Sequence, residues 1–159
     1  MRRIFLFVFL LIFWGCEQDS EIKIGEIAPE ISAKTLDKKA VRLADFAGKK
    51  RILIFWQYGC AGCLEIMPNL DKIAEQNRAN LAVIALNSFN IEEDIVKFMN
   101  EHEFHAMQFV KDDLTISFDR YEIAFVPLIF VLDAENRILD MISGDMPWET
   151  ILSRLSRFL

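Results

Sequence analysis

The sequence contains few histidines and few cysteines, and it has fewer basic than acidic residues. These shortages exclude several classes of protein. Among 159 residues it has two histidines and three cysteines. So few cysteines cannot form a framework of several disulfides. Acidic residues number 24 against 18 basic ones, and no basic cluster is present, which argues against nucleic acid as a partner. The chain has the length of a single domain and contains no internal repeat.

The longest uninterrupted apolar run is also short. It covers residues 4–14 and follows Arg2 and Arg3. As a helix it would span roughly 16 Å, well short of a hydrocarbon core of ~30 Å. Positive charges followed by an apolar run of this length are typical of a secretory signal. We therefore expect residues 1–15 to be a signal segment and the domain to lie outside the cytoplasmic membrane.

Cys16 ends this segment, directly after Gly15 and before an abruptly polar stretch. The junction resembles a bacterial lipoprotein signal, in which cleavage exposes a cysteine that then carries lipid. Phe13 departs from that pattern, since leucine is usual there. Lipidation of Cys16 would leave residues 16–24 as a polar tether, and the loss of Arg2 and Arg3 would change the formal charge from −6 to −8. The alternative is an uncleaved signal anchor with Cys16 as a spare thiol.

Beyond the tether, the spacing of apolar residues predicts strands that alternate with helices. Short strands are expected at residues 31–34, 40–43 and 107–110, buried strands at 51–56 and 81–87, and a hairpin at 127–143. Helices are expected at residues 60–77 with Pro68 inside, at 91–103 with Ile91, Ile95, Phe98 and Met99 on one face, at 114–121, and from Pro147 onwards. This alternation predicts an α/β fold with a mixed sheet and an antiparallel edge.

Cys60 and Cys63 lie between a predicted buried strand and a predicted helix. Cys60 would stand at the helix N-terminus, where unpaired N–H groups and the helix dipole stabilise a thiolate, with Cys63 one turn later. A Cys60 thiolate could attack a disulfide, and Cys63 could then resolve the mixed disulfide. Gly59 and Gly62 are expected to keep side-chain bulk away from the first sulfur.

Other uses of the pair are weaker. A c-type haem site needs a histidine where Leu64 stands. A zinc site needs two more ligands, and His102 and His105 are more simply interpreted as surface residues at the end of a helix. The two thiolates could hold Cu(I), with Met67 as a neighbour, although Met67 falls on the apolar stripe of its helix. A purely structural disulfide across so few residues would constrain the unfolded chain little.

Pro127 opens a predicted buried strand, where a proline cannot donate to the ladder. Its position makes sense if the Val126–Pro127 bond is cis and lies beside the cysteines. Taken alone, an ordinary trans proline would be expected, because roughly one X–Pro bond in twenty is cis.

Together these motifs resemble the thioredoxin-fold thiol–disulfide oxidoreductases of the TlpA/ResA/CcmG type, which are related to the AhpC/TSA and redoxin proteins. The segment "FWQYGCAGC" resembles their active-site segment, Pro68 the proline five residues after the second cysteine, and "VPLIFVLD" their cis-proline strand. The resemblance covers residues 25–159. It implies a thioredoxin fold with a central mixed β-sheet flanked by helices, an extra N-terminal β-hairpin and a strand–helix insertion at about residues 87–110.

The resemblance also implies roles for individual residues. Cys60 would be the nucleophile and Cys63 the resolving thiol, while Val126 and Pro127 would dock the substrate backbone. The redox-active disulfide would serve in place of any cofactor or metal. The site would be lined by Trp56, Tyr58, Gly59, Ala61 and Gly62.

The chain departs from the family pattern at several of these positions. Gly59 replaces the usual tryptophan, Leu128 a small polar residue, and no proline lies between the cysteines. Ile54 stands where thioredoxin has a buried aspartate, and Ile66 where a glutamate is common. Glu65 is one position away, or about 100° around the helix. It is a candidate proton relay, with a solvated carboxylate as the alternative.

We therefore expect a membrane-tethered, extracytoplasmic (periplasm-facing) thiol–disulfide oxidoreductase that reduces protein disulfides. The resemblance makes apocytochrome c a candidate substrate during cytochrome c maturation, and a membrane thiol transducer the electron donor. Two alternatives stay open. The same pair could oxidise or isomerise exported proteins, or it could form a Cu(I)-binding module.

Overall fold

The computed structural model describes residues 22–159. The expected signal segment, Cys16 and most of the tether lie outside the described residues. Within residues 22–159, none of the helices has the length and apolar character needed to cross a membrane.

Strands and helices alternate along the described chain, as the apolar pattern predicted. A short 3-10 turn at Leu43–Phe46 precedes the first long strand. In chain order the elements are β1 (Ala33–Lys34), β2 (Ala40–Val41), β3 (Lys50–Phe55), α1 (Ala61–Gln76), β4 (Leu81–Asn87), α2 (Glu92–His102), β5 (Gln108–Lys111), α3 (Ile116–Arg120), β6 (Leu128–Leu132), β7 (Ile138–Ser143) and α4 (Trp148–Leu155).

The strands form one mixed sheet in the order β2-β1-β5-β4-β3-β6-β7. Strands β3, β4 and β5 are parallel, whereas β6 runs antiparallel to β3 and β7 antiparallel to β6. The final hairpin therefore supplies an antiparallel edge, and the predicted α/β fold is confirmed.

The core lies on both faces of the sheet, which explains why β3 is apolar at consecutive positions. Ile52 and Ile54 face a cluster that includes Cys63 and much of α1. Leu53 and Phe55 face a second cluster on the other side. Because successive side chains in a strand point to opposite faces, a strand buried on both faces needs apolar residues throughout.

Three details differ from the sequence predictions. The insertion at residues 87–110 contains a helix followed by a strand, α2 and then β5, and not a strand followed by a helix. Ile91 is exposed, because it is the extended N-cap of α2 and does not share the helical face of Ile95 and Phe98. The helix predicted at residues 114–121 begins only at Ile116, where the Asp112 carboxylate accepts the first free N–H groups.

Different segments of the chain lie at the two ends of the sheet. At the first, which we call the disulfide pole, β3 ends before Cys60, β6 begins at Leu128 and β7 ends at Ser143. At the second, the N-terminal pole, the chain enters and Gly25 N donates to Ile138 O over 2.8 Å. Because Ile138 begins β7, the incoming segment lies at the end of the sheet opposite the cysteines.

Candidate active site

Cys60 and Cys63 form a disulfide, with their Cα atoms 5.3 Å apart. Cys60 is the N-cap of α1, and its Sγ accepts a hydrogen bond from Cys63 N over 3.3 Å. Cys63 is completely buried, whereas Cys60 is only partly buried. An incoming sulfur can therefore reach Cys60 directly, while Cys63 is shielded behind it.

The position of Cys60 suits a thiolate in the reduced state. The first N–H groups of a helix have no partners within the helix, and the N-terminal end carries partial positive charge. A sulfur placed as the N-cap receives both effects, which lower a thiol pKa. The N–H of Cys63 already points at the Cys60 sulfur. The local fold thus prepares the accessible cysteine for nucleophilic attack.

The Val126–Pro127 peptide bond is cis and lies directly beside the disulfide. Val126 O is 3.7 Å from Cys60 Sγ. This distance would allow a reduced Cys60 thiol to donate to the carbonyl. Val126 and Pro127 therefore form the wall of the site next to the accessible sulfur.

Gly144, which the sequence analysis did not select, holds this proline in place. Gly144 N donates to Pro127 O over 2.9 Å. A Cβ on Gly144 would collide with the Pro127 ring and would lie 2.9 Å from Cδ1 of Ile66. Only glycine permits so close an approach. The sequence signal was weak, a single glycine directly after a predicted strand.

The sequence analysis expected Gly59 and Gly62 to keep side-chain bulk away from Cys60, and the structure gives further reasons for a glycine at each position. A Cβ on Gly62 would lie 3.4 Å from Cδ of Pro127 and 3.3 Å from Gly144 O, so this glycine lets α1 pack on the proline. Gly59 has open space around it, but its φ of +88° strongly favours glycine. In this backbone conformation a tryptophan at position 59 would be strained.

Trp56 and Tyr58 lie on the α2 side of the site. Trp56 is fully buried in the same core cluster as Cys63, with its ring 4.7 Å from that of Phe98. Tyr58 is partly buried, and its backbone N donates to Asn90 Oδ1 over 2.8 Å. Asn87 Nδ2 donates to the same oxygen over 2.9 Å. The end of β4 and the loop after it therefore support the loop that carries Cys60, a connection that the sequence analysis missed although Asn87 ends a predicted strand and Asn90 follows it.

Glu65 lies on the exposed side of α1, away from Cys63. Glu65 is two positions after Cys63, and two positions along a helix correspond to about 200° of rotation. The positions where relatives carry carboxylates, Ile54 and Ile66, are both buried isoleucines. The structure therefore does not bring Glu65 to Cys63 as a proton relay would require.

The residues considered for metal binding are dispersed. Met67 is fully buried, which confirms it as a core residue. His105 is exposed, but His102 is partly buried with its ring 4.8 Å from Phe98, so its prediction as a surface residue was only partly correct. No group of three or more histidine, cysteine, aspartate or glutamate side chains placed to hold a metal ion occurs in the part of the chain that the structure describes.

Comparison with known proteins gives consistent matches. The AhpC/TSA family matches residues 24–141. The chain is 31% identical over 127 residues to a thioredoxin-like protein, YneN, of Bacillus subtilis, covering 79% of this chain and 74% of that one. It is 24% identical over 148 residues to the thiol-disulfide oxidoreductase ResA of Bacillus cereus, covering 92% and 85%.

A solved structure extends the comparison to the fold. The thioredoxin domain of a thiol-disulfide oxidoreductase from Bacteroides vulgatus superimposes with a TM-score of 0.71 at 27% identity. The match covers 84% of this chain and 99% of that domain. The mixed sheet described above is therefore a thioredoxin-like sheet.

Proposed function

The chain belongs to the AhpC/TSA family and is a thiol–disulfide oxidoreductase of the thioredoxin type, and from that premise we propose that it reduces protein disulfides outside the cytoplasm while tethered to the membrane. The observation that carries the exchange chemistry of this proposal is the unequal burial of the cysteines. Cys60 is accessible at a helix N-terminus and Cys63 is enclosed. This arrangement suits two consecutive exchange steps better than two thiolates sharing one Cu(I) ion.

In the first step the reduced Cys60 thiolate attacks one sulfur of a substrate disulfide. A Cys60–substrate disulfide forms, and the other substrate sulfur leaves as a thiolate and takes up a proton. In the second step the Cys63 thiolate attacks Cys60 Sγ, which forms the Cys60–Cys63 disulfide and releases the second substrate sulfur. Two electrons pass from the protein dithiol to the substrate.

Val126 and Pro127 would hold the substrate backbone during the first step. Their support is the 3.7 Å distance from Val126 O to Cys60 Sγ and the packing of Pro127 against α1. Trp56, Tyr58, Gly59, Ala61 and Gly62 would form the rest of the site wall. We assign no proton relay to Glu65, because its side chain points into solvent.

The proposed location rests on the sequence before the domain. We propose residues 1–15 as signal, Cys16 as the lipidated anchor, residues 16–24 as tether and residues 25–159 as the thioredoxin-like domain. Entry of the chain at the N-terminal pole supports this arrangement, because a tether there leaves the disulfide accessible. A membrane thiol transducer would return the electrons, and apocytochrome c is the candidate substrate that the family suggests.

The direction of electron flow is tested by the reduction potential of the Cys60–Cys63 pair. Equilibration of the full chain with glutathione or dithiothreitol buffers measures it. A value near the ~−270 mV of thioredoxin would support a reductase, whereas a value near ~−120 mV would identify an oxidant of exported proteins and contradict the proposal.

A further inference from the structure

Two exposed apolar side chains belong to residues next to the site, one in the loop before Pro127 and one in the first turn of α1. Phe125 is 54% exposed and stands two residues before Pro127, while Leu64 is 38% exposed and follows Cys63. We call these two residues the apolar rim. Phe125 stands next to Val126, whose carbonyl lies 3.7 Å from Cys60 Sγ, so its ring offers apolar area to a partner that reaches this sulfur. Covering the apolar rim would remove apolar area from water at the place where a substrate sulfur must arrive.

Carboxylates, and no basic residues, accompany this rim. Residues 57–66 contain the two cysteines, residues 121–128 lead into Val126 and Pro127, and residues 143–147 include Gly144, which packs on Pro127. Each segment contains one acidic residue and neither lysine, arginine nor histidine. The three acidic residues, Glu65, Glu122 and Asp145, are exposed, and none forms an ion pair within residues 22–159. We call them the carboxylate rim. Their negative charge is therefore available to a visiting chain.

The α2 side of the site carries both signs of charge. There Lys97 Nζ stands 5.8 Å from the ring centroid of Tyr58, and the first turn of α2 contains Glu92, Glu93 and Asp94. This side therefore adds further carboxylates, with Lys97 as the basic side chain that a partner would meet next to Tyr58.

We infer that the apolar and carboxylate rims select protein segments in which the reacting cysteine is flanked by an apolar residue and by lysine or arginine. The inference rests on the proposed function and specifies its substrate class. A basic segment gains attraction from three carboxylates, and an acidic segment meets like charge, which lowers both its encounter rate and its affinity. A second copy of the chain fits poorly, because its own cysteine segment carries Glu65 and its net charge is −6.

The test uses two peptides that differ only in charge. Each contains one internal disulfide with a leucine beside a cysteine, and one carries flanking lysines where the other carries glutamates. The full chain in detergent, supplied with dithiothreitol, should reduce the lysine peptide with a kcat/KM about tenfold higher at low ionic strength. Since the Debye length falls from ~10 Å at 0.1 M salt to ~3 Å at 1 M, the ratio should approach one in concentrated salt.

Variants locate the effect on the protein. Glu122→Gln combined with Asp145→Asn should lower the lysine-to-glutamate ratio about threefold, because two of the three charges are gone. The matched control, Glu26→Gln with Glu135→Gln, removes two exposed carboxylates at the N-terminal pole and should leave the ratio unchanged. Phe125→Ala should slow reduction of the leucine-bearing peptides more than that of hydroxyethyl disulfide.

The outcomes separate this inference from the function on which it rests. If the protein reduces hydroxyethyl disulfide but reduces both peptides at equal rates, the inference is overturned. The proposed oxidoreductase function would still stand. The inference would also be overturned if Glu26→Gln with Glu135→Gln changed the lysine-to-glutamate ratio as much as Glu122→Gln with Asp145→Asn. Failure to reduce any of the three disulfides faster than dithiothreitol alone would overturn the function and the inference together.

Discussion

The two poles of the sheet are held together in different ways. At the N-terminal pole, long basic side chains bind backbone carbonyls of neighbouring segments: Arg51 reaches Asp133 O and Phe46 O, and Lys50 reaches Phe158 O. At the disulfide pole, α1, the Pro127 loop and the end of β7 meet through close backbone approach, with Gly144 at the centre. The N-terminal pole is braced by basic side chains, whereas beside the sulfur α1, the Pro127 loop and the end of β7 pack backbone against backbone.

We therefore expect the N-terminal pole to determine stability and the disulfide pole to determine the rate of thiol–disulfide exchange. A hydrogen bond from a basic side chain to a backbone carbonyl joins two segments of the chain, and neither group then remains available to a partner. Glycine and proline bring backbone segments together without covering the surface above them. Changes at the disulfide pole should therefore alter exchange rates, whereas changes at the N-terminal pole should alter the free energy of unfolding alone.

The largest expected effect is at the cysteines. Cys60→Ser should abolish the reduction of insulin disulfides, because the accessible nucleophile is lost. Cys63→Ser should instead accumulate a mixed disulfide with the substrate, visible on a non-reducing gel, because nothing resolves it. Arg137→Ala, at the other pole, should keep the wild-type rate. Wild-type turnover by Cys60→Ser would disprove the assignment of the nucleophile.

Gly144→Ala should produce the next largest effect on exchange. The new methyl group would displace the Pro127 ring and so misplace the docking surface, and a shift of ~1 Å in a site can lower a rate about 100-fold. Overpacking should also lower the free energy of unfolding by about 1–3 kcal/mol. The measurements are kcat/KM for insulin and the urea midpoint.

Gly48→Ala is the matched control for this substitution. Gly48 lies at the N-terminal pole with a φ of +80° and open space around it. Alanine there should lower stability by about 1–2 kcal/mol through backbone strain without changing kcat/KM. Equal rate losses in the two alanine variants would remove the distinction between the poles.

Asp71→Ala should affect stability and leave the chemistry unchanged. Asp71 is buried in α1, and its carboxylate accepts hydrogen bonds from the N–H groups of His105, Ala106 and Met107. Hydrogen bonds to a charged group contribute about 1.5–3 kcal/mol each, but the three donors belong to exposed or half-buried residues that water can partly reach. Unfolding should therefore become easier by about 3 kcal/mol. Urea denaturation measures the loss, and the reduction potential should not move.

Asp71→Asn provides the graded comparison. Its remaining amide oxygen can still accept the bonds from Ala106 and Met107, which both go to Oδ1 of Asp71. The loss should therefore be smaller than for alanine. A change in reduction potential in either variant would show that this helix couples the two ends of the sheet.

Arg137→Ala should have the smallest effect. Arg137 is exposed, and its guanidinium donates to Gly25 O over 2.7 Å. Removing this bond should cost about 0.5 kcal/mol and loosen the incoming segment. Faster amide exchange at Gly25 with an unchanged reduction potential is the expected result. Loss of redox activity would contradict the independence of the poles.

Much of the fold could be predicted from local patterns. The strand at Leu81–Asn87 and the helix after Cys60 agree with the prediction closely, because apolar periodicity directly reports which faces are buried. Ile91 was placed wrongly for a related reason. Its spacing fits the apolar stripe, but it is the extended N-cap residue, which lies outside the helical repeat.

The sequence by itself determined the alternating elements, the reactive cysteine pair and its place at a helix start, since these depend on neighbours along the chain. Only the tertiary structure decided that Gly144 supports Pro127, that Asn90 supports the Tyr58 loop, and that Asp71 accepts bonds more than thirty residues away. It also decided which sulfur is accessible. Such contacts join segments distant in sequence, and their partners are set by how the sheet orders its strands, which no local pattern encodes.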